Sequence, residues 1–418
     1  GAGGGALETD RSQRNSDPAT NSTILTGDLG VEGFVGDNVY HVTTIAEGAS
    51  AVLDGFTIRD GLASGASPNN SGAGIWAKSG SDLTLRNARL TNNSASGSDG
   101  DGGGIYSQGA LTVEDATLTG NSAADDGGGI SGGGTFTNVT VENNSAGGSG
   151  GGISGSGTFT NVTALNNSAG GGGGIHTGTN SSTLTNVTVE NNSANTGGGI
   201  YGGGTFTDVN VLNNSTDFSG GGIYIRSTST LTRVDIRGNE SGQFADDGGL
   251  YFGGGLYSSG NDVDLVEVMF VGNTSNRGSG GGALIAGATL RAVDVQFVGN
   301  ETSSTGGGLY LTSTGGSLTN TVFSGNTASN GGGLFLRSNS SPAIVNSVFS
   351  ANSASSVGSA IGIDGTNSFS LIQNSVLWGN TTGNSGNQNQ VFVDSGQPLF
   401  ENSLIQDGVP DGGVDNGN

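Results

Sequence analysis

The chain has 418 residues, 85 of them glycine and none cysteine, and 35 acidic against 12 basic residues leave a net charge of −23. That charge excludes nucleic acid and anionic membrane surfaces as partners, and without cysteine the fold depends on packing rather than cross-links. A glycine load this high with only 32% hydrophobic residues resembles a disordered composition. Regularly spaced runs rich in Val, Ile and Thr contradict disorder, so the glycines serve turns. No apolar run is long enough to span a membrane. Asp outnumbers Glu and Lys78 is the single lysine, a composition that fits either a protein solvated in high salt, as in a halophile, or an ordinary acidic secreted protein.

Residues 1–70 read as the opening coils of the fold. Gly1 to Leu7 has neither the basic nor the apolar region of a signal peptide, which implies a removed signal or a fragment. Residues 71–382 carry an internal repeat, which decides the architecture. A glycine cluster followed by Ile or Leu recurs at Ile75, Ile105, Ile130, Ile153, Ile175, Ile200, Ile223, Leu256, Leu284, Leu309 and Leu334, with a degenerate copy at Ile361. A second anchor recurs at Asn93, Asn121, Asn144, Asn167, Asn192, Asn214, Asn239, Asn273, Asn300, Asn326, Asn352 and Asn380. Between them lie alternating runs such as Phe136-Thr-Asn-Val139-Thr-Val141. Residues 383–418 read as a terminal coil and the start of a linker or further domain.

Each repeat offers two or three short strands separated by Gly, Ser and Asn turns, with no helical apolar period. Strands this short bury a core only by stacking on the next repeat. The expected fold is all-β: a single right-handed parallel β-helix of roughly 14 to 16 coils, about 4.8 Å apart. Its corners are rich in glycine and its asparagines stack in a ladder. Asn92, Asn138, Asn143, Asn161, Asn166 and several others also fall in N-x-S/T, the acceptor pattern for N-glycosylation, although at a solenoid period that pattern follows from the ladder itself.

Candidate chemistry is sparse. His41 and His176 are the two histidines, and His176 takes the place that Tyr106, Tyr201 and Tyr224 hold in other repeats. Acids precede a glycine cluster at Asp99 and Asp101, at Asp125 and Asp126, and at Asp246 and Asp247, with acid-free repeats at 147–150 and 170–174. They read as solvated turn acids or as Ca²⁺ ligands; no other cofactor is implied. Arg226, Arg233 and Arg237 cluster near one coil, where Asp235 or Glu240 across the sheet, or else a carbohydrate carboxylate, can pair with them. Between Ile223 and Leu256 the repeat swells by about ten residues. The swelling carries Phe244, Tyr251 and Phe252, which with Arg226 form a candidate binding surface or else an extra half coil. Phosphate-loop and nucleophile-elbow motifs are absent.

Gly281-Gly-Ala-Leu284 and Phe270-Val-Gly-Asn273 resemble the GGA(I/L/V) and FxxN repeats of chlamydial polymorphic outer membrane proteins, as do Phe297 to Asn300, Phe323 to Asn326 and Phe349 to Asn352. Asn21 to Asp28, Tyr40-His-Val and Leu53 to Ile58 are similar to the first coils of bacterial and archaeal extracellular right-handed β-helix surface proteins. The resemblance implies a β-helix, a longer parent chain and an extracellular or cell-surface location. The expected role is a structural or adhesive scaffold, or a filament-forming subunit, that binds neighbouring copies or glycans and is not an enzyme. A polysaccharide lyase, a glycosidase or a tailspike-like receptor-binding module is the alternative.

Overall fold

The computed structural model describes residues 23–242, 252–365, 368–383 and 390–417. The chain forms two compact units, residues 1–176 and 177–418, and each is a parallel β-solenoid. The one helical element among the described residues is a 3₁₀ turn at Val35–Asp37.

In the first unit, Thr43–Ile45, Ile75–Ala77, Ile105–Ser107, Ile130–Ser131 and Ile153–Ser154 pair in parallel, each with the equivalent strand one coil on. Ile75, Ile105, Ile130, Ile153 and Ile175 therefore form one column, fully buried. A second face pairs Asp82–Thr91, Ala110–Thr119 and Gly134–Glu142. There Leu85, Val113, Phe136 and Phe159 make one inward column, and Leu90, Leu118, Val141 and Ala164 another. Alternate residues point outward because side chains on a strand have a period of two. A third, short face pairs Ser94–Ala95, Ser122–Ala123 and Ser145–Ala146.

The second unit repeats this plan with a heavier core. Phe270, Phe297, Phe323 and Phe349 stack with centroids 4.5–4.8 Å apart and rings 5° from parallel. One coil per strand spacing places identical rings directly over one another. The expected glycine-cluster column needs one correction. Leu256 pairs with Ala283, not Leu284, and Ala283 pairs with Leu309. Gly253, Gly280 and Gly306 turn the corner with φ of 57°, 73° and 72°, and the inward residue is always the third after that glycine. Leu284 instead joins Tyr257, Tyr310 and Phe335 in a separate buried cluster on the other side of the strand. Across the swelling Ile223 pairs directly with Leu256, and Asp235 with Met269, so these strands are neighbours; residues 243–251 of the swelling lie outside the described residues.

Successive glycines of each cluster meet different demands. Gly127 has φ 70°, a region costly for residues with a Cβ. Gly128 and Gly129 lie against backbone carbonyl oxygens of the next coil, Gly151 O and Gly152 O, each 2.5 Å from where a Cβ would sit.

The asparagine ladder is present in both units. Asn121, Asn144 and Asn167 each accept at Oδ1 from the backbone N–H and side-chain Nδ2 of the Asn one coil earlier, at 2.9–3.1 Å. Asn214, Asn239, Asn273, Asn300, Asn326, Asn352 and Asn380 do the same in the second unit, beginning from Asn192, at 2.8–3.0 Å. Nδ2 also donates to a carbonyl of an earlier coil, Leu90 for Asn121 and Phe270 for Asn300. Gln390 takes the ladder's next place: its Oε1 accepts from Asn380 Nδ2 at 2.6 Å, and its Nε2 donates to Asn380 O at 3.0 Å. Of the acceptor-pattern asparagines, Asn92, Asn138, Asn143, Asn161 and Asn166 are different residues from the ladder and lie exposed at left-handed corners, whereas the ladder's Asn239, Asn273, Asn300 and Asn380 carry the same pattern but are buried.

Truncating Asn300 to alanine strands the donors of Asn273 and the Phe270 carbonyl in a dry interior, and stability should fall by about 3 kcal/mol. The residue before each ladder Asn is left-handed, and Ala351 (φ 55°) holds that place where Gly299 and Gly325 hold it in the preceding coils. Ala351→Gly should therefore stabilise and Gly325→Ala destabilise, each by roughly 1 kcal/mol. Urea midpoints of the full chain check all three variants.

Candidate functional site

In the first unit, Asp101 and Asp126 each stand just before a left-handed glycine, Gly102 and Gly127, as Ser71 and Ser149 do on the flanking coils. The Asp101 N–H donates to Ser71 Oγ at 3.0 Å, the Asp126 N–H to Asp101 Oδ1 at 3.0 Å, and the Ser149 N–H to Asp126 Oδ1 at 2.6 Å. The two acids thus act as acceptors in a corner ladder, each tying down the backbone of the next coil. Asp99–Asp101 and Asp125–Asp126 lie on neighbouring coils, whereas Asp246 and Asp247 lie outside the described residues. Among the described residues no three carboxylate or imidazole groups converge in a way that could hold a metal ion.

This crowding has an electrostatic consequence. Burial pushes the Asp101 carboxyl above the ordinary carboxylate range, the Asp126 N–H pulls it back, and the charges of Asp126, Asp125 and Asp99 push it further up. Asp125 is raised by burial, then by Asp126 and Asp99.

Beside the acids lies a concave pocket of about 310 Å³, lined among others by Trp76, Tyr106, Asn70, Gln108, Asp99 and Asp101. Trp76 and Tyr106 pair across adjacent strands, one place after the inward Ile75 and Ile105. The loop of Ser67 and Pro68 forms a further wall. Its Asn70 donates from Nδ2 to the carbonyls of Ser98 (2.8 Å) and Asp99 (3.1 Å), which fixes the acidic loop against it. Gln108 Nε2 donates to the Tyr106 hydroxyl at 3.0 Å. Trp76 is flanked by the His41 ring, with centroids 4.9 Å apart, and by Lys78 Nζ, 4.5 Å from its centroid. His41 lies just before the strand Thr43–Ile45, and its Nδ1 faces Gly72 O at 3.1 Å. Sequence reasoning missed this pocket. The available signal was two bulky aromatics at one repeat position in neighbouring coils, next to the lengthened segments 60–72 and 96–101.

In the second unit, the Arg226 guanidinium lies 5.5 Å from the Tyr201 ring centroid and 5.8 Å from that of Tyr224, and the two rings stack 4.9 Å apart. Burial raises the Tyr201 hydroxyl above its ordinary value, and Arg226 partly offsets it. Phe252 belongs to a corner: its carbonyl accepts from the Gly220 N–H at 2.7 Å, and its ring fills the space that a Cβ on Gly278 would need. Phe244 and Tyr251 lie outside the described residues. Arg233 pairs with neither Asp235 nor Glu240. It holds Asp208 on the preceding coil through Nε (2.6 Å) and Nη2 (2.9 Å), which lowers the Asp208 carboxyl. Arg237 takes Asp235 at 2.5 Å, and Asn276 donates to Glu240. Cross-coil neighbours are closer than the neighbours along the strand that sequence spacing suggested for Arg233.

The raised carboxyls at the acidic corner set a pH dependence of known sign. Between the ordinary carboxylate value and a raised folded-state value, the folded form holds more protons than the unfolded one, so stability falls as pH rises through that window. The penalty is fully present at neutral pH and is relieved as pH falls toward 3.8. Asp101→Asn keeps an acceptor for the Asp126 N–H and removes the buried charge. It should raise the thermal midpoint at pH 7 and flatten this corner's contribution to the pH profile, as scanning calorimetry across that range would read.

No helix among the described residues is long and apolar enough to cross a membrane. No curated protein and no solved structure matches the chain. Residues 320–337 match the Chlamydia polymorphic membrane protein repeat. That stretch contains the stacked Phe323, the ladder residue Asn326 and the corner Gly331 to Leu334, so the chain is similar to that repeat in the residues that build a coil.

Proposed function

We propose that this protein is an extracellular structural and adhesive solenoid, a surface scaffold or filament subunit whose faces meet neighbouring copies or glycans. The supporting observation is the character of its outer surface. Among the described residues from 53 to 347, no large hydrophobic side chain is exposed; those that are, such as Phe34, Val52, Val348 and Trp378, fall outside that stretch. The faces of these coils carry Thr, Ser, Asn and paired ions such as Arg291 with Asp264. Such a surface binds through many weak polar contacts rather than one apolar anchor. The similarity of residues 320–337 to a surface-protein repeat supports the same reading. In this reading the acids of the first unit are structural, which is supported by Asp101 and Asp126 each spending an oxygen on a backbone N–H of the next coil.

A chain of net charge −23 repels its own copies at low ionic strength. Self-association should strengthen as salt is raised from roughly 0.05 M to above 1 M, where the Debye length falls to about 3 Å. Electron cryo-microscopy with sedimentation velocity across that series should show fibres or laterally packed particles at high salt. Monomers throughout, with no binding to any glycan on an array, would overturn the proposal.

A further inference from the structure

We infer that the pocket between Trp76, Tyr106 and the Asp99–Asp101 loop is a binding site for one neutral hexose unit of a glycan. This deepens the adhesive reading and rests on it. The volume, about 310 Å³, lies at the small end of the range for ligand pockets, where a single ring fits and a long chain does not. The lining contains no lysine or arginine, so an anionic ligand finds no counter-charge, and Lys78 is already drawn onto the Trp76 ring. A metal ion finds too few free ligands: Asp101 Oδ1 already accepts from a backbone N–H, and no metal-holding cluster forms among the described residues.

What remains suits a sugar. Tyr106 supplies aromatic surface against which the C–H face of a pyranose packs, and Trp76, whose ring already carries His41 and Lys78, completes the wall. The column beyond Tyr106 continues with the small residues Ser131 and Ser154, so no further ring follows Tyr106 on the next two coils. The Asp99 carboxylate accepts no hydrogen bond from the described residues, and Asp101 keeps Oδ2 free, which leaves acceptors for sugar hydroxyls. The site is also preorganised, since Asn70 ties the Asp99 loop to the opposite wall and Gln108 holds the Tyr106 hydroxyl. One such pocket gives affinity on the order of millimolar, enough for adhesion once several copies act together.

The test uses the full chain, saturation-transfer NMR and calorimetry against neutral hexose and N-acetylhexosamine oligosaccharides, with CaCl₂ titrated separately. Two variants leave the solenoid intact. Asp99→Asn sits at a left-handed exposed position that asparagine tolerates, and Tyr106→Ser copies the residue that the next coil carries there. The expected result is binding of at least one oligosaccharide, weakened roughly tenfold or more by each variant, with an unchanged circular dichroism spectrum. Equal binding by both variants would overturn the pocket while leaving glycan adhesion standing. No saccharide binding, with or without a Ca²⁺ response lost in Asp99→Asn, would overturn this inference, and salt-dependent assembly would then still uphold the scaffold reading.

Discussion

A carboxamide placed in a dry interior must find partners for both its donors and its oxygen, and in this protein it finds them one coil away. Asn300 accepts twice at Oδ1 from Asn273 and donates from Nδ2 to Asn326 and to the Phe270 carbonyl of an earlier coil, the pattern of the ladder's interior. Such a network is stable only when complete, because a half-satisfied buried amide costs more than an apolar residue in its place. The ladder therefore holds every coil to the same corner. The phenylalanine stacks, the glycine clusters and the short third face follow from that constraint.

The corners show how the same geometry is met with different residues. Before the ladder Asn the chain is left-handed, and Asn92, Asn143, Gly272 and Ala351 all occupy that place, with different conformational costs. At the glycine-cluster corner the residue ahead of the left-handed glycine supplies an acceptor to the next coil, as Ser71, Asp101 and Asp126 do in turn. Where acids fill that place on successive coils they raise each other's pKa, a cost that a serine would not incur. The same two coils carry Trp76 and Tyr106 and the looped wall at Ser67 and Pro68. The acids, the aromatics and the lengthened loops thus fall in one locality of an otherwise uniform surface.

The legible parts of this protein were those that repeat. Twelve asparagines at coil spacing announced the ladder, and the alternation around Phe136 and Val139 announced inward columns, because stacking acts identically on every coil. The departures from the repeat fall where a coil changes locally. Leu284 looked like the inward residue because Ala283 is small, and only the position of Gly280 at the corner shows which of the two points in. Arg233 looked like a partner for Asp235, yet it reaches Asp208, which is 25 residues away in sequence and one coil away in space.

By itself the sequence determined the fold class, the strand periodicity, the buried columns and the polar, acidic character of the faces. These depend on residue type at a fixed period, and every copy reports the same answer. Only the tertiary structure decided which acids become neighbours, that Gln390 takes the ladder's next place after Asn380, and that Trp76, Tyr106, Asn70 and Asp99 share one pocket. Those facts depend on which residues of adjacent coils come to lie side by side. Loop length sets that juxtaposition, and a sequence shows loop length without showing where the loop folds.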